Sequence, residues 1–586
     1  MASALTSKFA KFSPFSRKED DEDKGEEIDY TSVAGGGHGG RQSAITKNKL
    51  RASHALRSFL VDENVLSEEE AGLDDDDTVT PAVRALLDKP HVIVPPQVVD
   101  RSYPLPEYFI SSSHNTYLMA HQLYGSSSAD AYKVALNAGA RCVEIDAWDN
   151  DDNKDEPKVT HGYTLVSHIP FRKVCETIRD VVDKEAADSV DQQGYRAAPI
   201  LISLENHCSA EGQQALVNIM KEVLGERLLS KAVREEGHRE QEGSDENVSL
   251  HELGSKVALI VEFHLPDEKA KIAEEEEEQE EDAEGEPEDE REARKAYDEK
   301  VKETATSIII PELAALGVYA QSVKPVDNSW FEEVQMKNGP RHHLINVSES
   351  GLASLMPTHS AKISLHNARH LMRVYPKGTR ISSSNINPVL HWGVGAQIAA
   401  LNWQTFGASM QINEALFSGS EGYVLKPAAL RAGGDGKLST GMQKRLRLHV
   451  AGATDVPVPA GGEPKDIKPY VTCTLVHPDN LDAEPPKRKT SPYKQHKLGF
   501  LHSGENPPQT DPVWDEHLEW EYEDNDLAFL RILIKSDDSF ARNPILTAGA
   551  VRLMYVNSGW SFIRMLDLKG GETQCSLLVK FDIEYL

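Results

Sequence analysis

Tyr108-Phe109-Ile110-Ser111-Ser112-Ser113-His114-Asn115-Thr116-Tyr117 is a short apolar run that stops abruptly in polar residues, and the same pattern returns along the chain that follows. Cys142-Val143 runs into Glu144 and Ile200-Leu201-Ile202 into Ser203. Further runs cover Val257 to Val261, Leu344 to Val347 and Ile398 to Leu401, with helical stretches such as Ser128 to Ala138 and Ala210 to Val223 between them. Strand alternating with helix over this length predicts an α/β fold, a parallel sheet closed as a TIM-type barrel. Chemistry in such barrels sits where the strands end. The polar residues that stop each run are therefore the first candidates for a site.

In Val143-Glu144-Ile145-Asp146 the two-residue strand period aims both carboxylates at one side of the sheet. Burying two acids together is costly without a cation. Ser203-Leu204-Glu205-Asn206-His207 places a third acid at a strand end, Asn115 offers an amide oxygen, and His114 and His161 (in Thr160-His161-Gly162-Tyr163) offer imidazoles. Hard oxygen ligands without cysteine suit calcium or magnesium. Two histidines suit general acid and base work on a phosphodiester near neutral pH.

The flanks read differently. Residues 1–52 are rich in charge, Ser and Gly and predict a disordered arm; Leu5, Phe9, Phe12 and Phe15 recur at helical spacing beside Lys8, Lys11, Arg17 and Lys18, which would suit a weak interfacial anchor, but Pro14 opposes a long helix and a plain disordered arm is the expectation. Residues 53–100 predict a helical lead-in broken by Asp74-Asp75-Asp76-Asp77, without the ligand spacing of a calcium-binding hand. Between Leu265 and Glu303 there are 19 Asp and Glu against 7 Lys and Arg, a net −12, which predicts a solvated acidic linker between two barrel halves, 101–264 and 304–435. Beyond Ser439 short alternating strands predict a separate all-β sandwich over 440–586. The net charge of −31 argues against a nucleic-acid partner. No apolar run is long enough to span a membrane and no secretory signal opens the chain, so the expected location is the cytosol. Five scattered cysteines, Cys142, Cys175, Cys208, Cys473 and Cys575, fit a reducing compartment.

Taken together the blocks resemble a known family. Ser111 to Tyr117, Glu144-Ile145-Asp146-Ala147-Trp148-Asp149, His161-Gly162-Tyr163 and Leu204-Glu205-Asn206-His207-Cys208 resemble the X half of a eukaryotic phosphoinositide-specific phospholipase C. Ser348-Glu349-Ser350, Arg373-Val374-Tyr375-Pro376, Ser382-Ser383-Ser384-Asn385, Ala400 to Thr405 and Gly422 to Pro427 resemble its Y half, and the tail resembles its C2 domain. The family implies calcium held by Asn115, Glu144, Asp146 and Glu205, with His114 stabilising the phosphorane, His161 protonating the leaving group and Glu144 as the preferred base. It also implies Asn346, Arg373 and Tyr375 at the substrate, Leu123, Tyr124 and Leu165 as a membrane rim, inositol phospholipids as partners, and work on the inner membrane face. No protein activator is implied.

The chain departs from the family in places. Ile260 and Glu262 stand where relatives that prefer the bisphosphorylated lipid bring lysines, so that preference is not expected. Asn346 stands for a usual Ser and Thr379 for a common Trp. In the tail, Lys468 and Ser536 replace expected acids although Asp537 and Asp538 remain, so the C2-like domain is expected to serve packing. The competing readings are a catalytically silent lipid-binding scaffold, which has no need of the intact histidines and acids, and a metal-dependent glycerophosphodiesterase, which the Y-half blocks and the tail disfavour.

Overall fold

The structure is a computed structural model, and it describes residues 50–74, 79–119, 126–150, 152–160, 168–187, 197–234, 248–264, 309–325, 327–332, 336, 339–377, 384–479, 485–495, 506–537 and 545–586. Eight successive parallel positions ring a barrel among these residues. They are Tyr108–Ile110 continued by Ser113–His114, then Cys142–Trp148, Ile200–His207, Val257–Glu262, Gln321–Val323, His343–Ser348, Leu371–Tyr375, and Ile398–Ala399 continued by Leu401–Asn402. A parallel bridge between Ser112 and Cys142 completes the ring, with the Arg141 N–H donating to Ser111 O at 2.7 Å.

The alternation of side chains sorts the residues as the strand period requires. Cys142, Leu201, Ala258, Ile260, Ala320, Leu344, Leu371 and Ile398 pack together inside the barrel. Their neighbours Val143, Ile202, Val257, Leu259, Val323, Ile345, Met372 and Ala399 join the larger cluster beneath the surrounding helices. Two residues beyond the interior positions, toward the strand ends, stand Glu144, Glu262, Asn346 and Arg373, and four residues beyond them stand Asp146 and Glu205. Apolar filling thus plugs the barrel below and leaves a polar mouth above.

The last barrel segment, Tyr423–Leu425, returns antiparallel beside Tyr108–Ile110. Gly422 makes that approach possible: its φ is +79°, and a Cβ there would lie 2.3 Å from the Gly139 carbonyl oxygen. Buried Arg141 ties the same corner, donating to Glu421 O at 3.0 Å and to the Glu185 carboxylate at 3.0 Å.

Strands from Gln443–Thr454 to Glu572–Tyr585 form an antiparallel sandwich of eight strands among the described residues. It shares a core with the barrel. Helix Ala408–Phe417 is buried at every residue because it lies between the two bodies, and the Arg531 Nε donates to Gln411 Oε1 at 2.7 Å inside that contact. Phe529, Ala550 and Leu566 of the sandwich belong to the barrel's apolar cluster.

The lead-in forms helices His54–Asp62, Glu68–Ala71 and Pro81–Asp88, capped by Ser53, Ser67 and Thr80. These helices pack on the sandwich: Leu56, Leu60 and Val83 meet Ala451, Trp560, Phe562 and Leu578. Ordered packing starts earlier than the expected arm boundary at residue 52. Leu50 and Ala52 are buried in the same cluster, and Arg51 reaches Asp455 at 2.7 Å and Asp511 at 2.9 Å. The rest of the arm, residues 75–78 and the acidic linker lie outside the described residues. All five cysteines are buried free thiols.

Candidate active site

At the barrel mouth one oxygen from each of Glu144, Asp146 and Glu205 lies within 4.8 Å of the others. Register explains the convergence: Glu144 pairs with Ser203 and Asp146 with Glu205 on adjacent parallel strands, so all three point to the same interior side. Asn115 joins them through a turn. Its φ of +42° is a left-handed value that Asn tolerates, and its N–H donates to Glu144 Oε2 at 2.8 Å. The Tyr117 hydroxyl donates to Asp146 Oδ2 and lies 3.2 Å from Asn115 Oδ1.

The cluster is not electrically settled from within. Asp146 Oδ1 is buried with no hydrogen-bond partner among the described residues. Burial, and after it the charges of Glu205 and Glu144, push the Asp146 carboxyl well above the usual carboxylate range. Burial, the largest single influence, pushes Glu205 up, but the His207 imidazole at 3.2 Å together with the charges of Lys324 and Arg373 holds it down at about 2. Three acid groups, an amide oxygen beside them, no thiol and one orphaned buried oxygen make a donor set that fits a hard divalent cation.

His114 is held by a relay from the neighbouring strand, where Asn402 is its register partner. Its Nδ1 lies 2.9 Å from Asn402 Oδ1, and the Asn402 Nδ2 donates to Ser384 O at 3.0 Å, which fixes the amide oxygen toward the ring. Asn385 in turn grips the Asn402 backbone, accepting its N–H at 2.6 Å and donating to its carbonyl at 2.9 Å. Nδ1 therefore carries a proton and Nε2 faces the pocket, 3.9 Å from Glu144 Oε2. Burial, with Arg373 adding to it, lowers the His114 pKa against the opposing pull of Glu144.

Arg373 Nη2 pairs with Glu144 Oε1, and its Nη1 donates to Asn346 Oδ1 at 3.2 Å. Asn346 and Arg373 are register partners, as are Ser348 and Tyr375. The Arg373 guanidinium lies 5.7 Å from the Tyr375 ring centroid. Of the residues singled out in the sequence, the structure thus brings together His114, Asn115, Glu144, Asp146, Glu205, Asn346, Arg373 and Tyr375. His161, Leu123, Tyr124, Leu165, Thr379 and Asp538 lie outside the described residues. Sequence reasoning gave no role to Asn402, Asn385 and Tyr117. The first two sit in the blocks at 382–385 and 400–405, and their part is visible only once those blocks meet at His114.

Ile260 is buried in the interior cluster, and Glu262 stands above it at the mouth with its carboxyl raised by burial. In the sandwich, Lys468 and Ser536 come together, the Lys468 N–H donating to Ser536 Oγ at 3.1 Å and the Asp537 N–H to Lys468 O at 3.0 Å.

A barrel with an oxygen-lined, cation-suited site at its strand ends and a histidine beside it is the architecture of a metal-assisted phosphodiester enzyme. Residues 101–262 match the phosphatidylinositol-specific phospholipase C X domain, 313–429 its Y domain, and 444–560 the C2 domain. The chain belongs to the phosphatidylinositol-specific phospholipase C family. Among its relatives, 1-phosphatidylinositol 4,5-bisphosphate phosphodiesterase 1 of Candida albicans is 32% identical over 82% of this chain and 47% of that protein. The delta-1 phosphodiesterase of Homo sapiens is 30% identical over 83% of this chain and 61% of that protein. The chain spans about half to three fifths of the length of the curated relatives it matches. The crystal structure of L. pealei PLC21 has the same fold, with a TM-score of 0.68 at 23% identity, covering 94% of this chain and 68% of that one.

Proposed function

We propose that this chain is a calcium-dependent phosphoinositide phospholipase C, which cleaves inositol phospholipids to diacylglycerol and inositol phosphates in intracellular lipid signalling. The observation that carries the reading is the meeting of Glu144, Asp146 and Glu205 around a buried oxygen without a partner, beside a histidine oriented by Asn402. Relatives that match along most of the chain are named for the 4,5-bisphosphate lipid, which supports the substrate class.

Asn115, Glu144, Asp146 and Glu205 would hold calcium, which when bound lowers the pKa of the inositol 2-hydroxyl and offsets charge on the phosphate. Glu144 accepts the proton of that hydroxyl, whose oxygen bonds to the adjacent phosphorus while the bond to the diacylglycerol oxygen breaks. The step is intramolecular and gains from a high effective molarity. His114 donates from Nε2 to the phosphoryl oxygen, its other nitrogen anchored on Asn402. An approaching phosphate favours the imidazolium that burial alone disfavours. Arg373, which pairs with Glu144 beside the site, would offer its guanidinium to the phosphate. His161 protonates the departing oxygen, and water later opens the cyclic phosphodiester.

The enzyme works in the cytoplasm as a peripheral protein on the inner membrane face, with Leu123, Tyr124 and Leu165 as its rim. No helix among the described residues is long and apolar enough to cross a membrane. The test is turnover on vesicles that contain phosphatidylinositol, its 4-phosphate or its 4,5-bisphosphate, with and without calcium. Calcium-dependent release of diacylglycerol from at least one is expected. No release from any of the three at saturating calcium would overturn the reading.

A further inference from the structure

Lys324 was not marked by any sequence motif, yet the barrel places it in the site. On its strand Ala320 packs with Ile260 and Leu344 inside the barrel, while Val323 packs outside. The strand period then sends Ser322 and Lys324 inward, with Lys324 in the mouth layer. Ser322 is the register partner of Glu262 on one side and of Leu344 on the other. One step further along, Lys324 comes level with Asn346, which is itself the partner of Arg373. The order around this part of the mouth is therefore Glu262, Lys324, Asn346, Arg373.

Deepening the reading of the preceding subsection, on which it rests, we infer that Lys324 binds one phosphate on the inositol ring and that Glu262 beside it disfavours a second. The substrate class is then the monophosphorylated inositol lipid. Three observations bear on this. Lys324 is exposed at the mouth, where a ligand can reach it. Its charge acts on the carboxylates of both Glu205 and Glu262, which sets it within the field of the site. Ile260, buried in the interior, has no charge to offer a ring phosphate, and Lys324 is the basic side chain at the end of the strand between those of Glu262 and Asn346. A ring seated over the acid cluster with its scissile phosphate at His114 extends toward the opposite wall, where Lys324 stands. A phosphate there gains a charge-assisted contact, and a second one next to Glu262 meets a carboxylate instead.

The experiment uses the full chain with calcium on vesicles that carry each of the three lipids at equal surface density. The 4-phosphate should be turned over faster than either other lipid. Lys324→Gln should lower the ratio of 4-phosphate to phosphatidylinositol turnover about tenfold or more, and Lys324→Arg should restore most of it. Glu262→Lys should raise the ratio of bisphosphate to phosphatidylinositol turnover by about tenfold. A ratio unchanged by Lys324→Gln, or a wild type fastest on the bisphosphate, overturns the inference. Calorimetry with soluble inositol 1,4-bisphosphate and inositol 1-phosphate separates this result from failure of the catalytic reading, because it needs no turnover. Tighter binding of the bisphosphate, abolished by Lys324→Gln, supports the assignment even in an inactive preparation; equal binding refutes it. Inorganic phosphate at the same concentration should not compete, and equal competition by it would mean a bare anion site and refute the assignment.

Discussion

Two places in this molecule could hold a cation, and they are built in opposite ways. At the barrel mouth three carboxylates from two adjacent strands meet, and one buried oxygen of Asp146 is left without a partner. At the corresponding end of the sandwich, Lys468 and Ser536 satisfy each other through a 3.1 Å hydrogen bond, and Asp537 closes onto the Lys468 backbone at 3.0 Å. Charge gathered without an internal solution needs an ion from outside, whereas the hydrogen bonds among Lys468, Ser536 and Asp537 need none. The cation dependence should therefore belong to the barrel.

The sharpest test of the barrel half is His114→Ala. Turnover should fall by roughly 10² to 10⁴ with the circular dichroism spectrum unchanged. Retained turnover would remove His114 from the chemistry, and with it the meaning given to the Asn402 relay.

The base of the barrel supplies the next test, because it too gathers titratable groups but settles them internally. His343 Nε2 lies 2.9 Å from His366 Nε2, so one ring donates and the other accepts, and His370 stacks on His343 at 3.9 Å. Burial first, then the neighbouring histidines, lowers His343 to about 3 and His366 well below its ordinary value. A folded-state pKa below the unfolded value of about 6.5 means stability is fully present above that pH and lost as pH falls toward the folded value. Between pH 6.5 and 5 the loss should reach about 2 kcal/mol from His343. Urea midpoints across that range measure it, and His343→Gln should flatten the acid limb. A wild-type midpoint that does not move from pH 7 to 5 would contradict the buried neutral cluster.

Smaller in size is the effect of Asp146→Asn, which should raise the calcium needed for half-maximal turnover by about tenfold, since an amide is a poorer ligand than a carboxylate. An unchanged calcium curve would take Asp146 out of the metal shell. The mirror experiment, Asp537→Asn in the sandwich, should move that curve by less than about twofold. If instead it moves as far as Asp146→Asn does, the two ends are not opposites and the comparison fails.

Much of the site was legible because it obeys local rules. Glu144, Asp146 and Glu205 each follow an apolar strand run, and a period of two decides the face without knowledge of the rest of the chain. The strands Gln321–Val323 and Leu371–Tyr375 were harder to see. The first is three residues long and follows the acidic stretch without an apolar run of its own, so Lys324 passed unnoticed. The lead-in was read as helical from its periodicity, but periodicity shows only that Leu56, Leu60 and Val83 need an apolar partner, not which one. That partner is the sandwich, far along the chain, and the buried Leu50 and Ala52 extend the contact past the boundary that composition suggested.

By itself the sequence determined the alternation of strand and helix, the acids and imidazoles at the strand ends, and the change to short antiparallel strands after Ser439. These are properties of residues close together in the chain. Tertiary structure alone decided that Asn402 orients His114, that Arg373 sits on Glu144, that Lys324 comes level with Asn346, and that helix Ala408–Phe417 is sealed between barrel and sandwich. Each of these joins segments far apart in sequence, and their meeting is fixed by barrel closure and strand register, which no local pattern encodes.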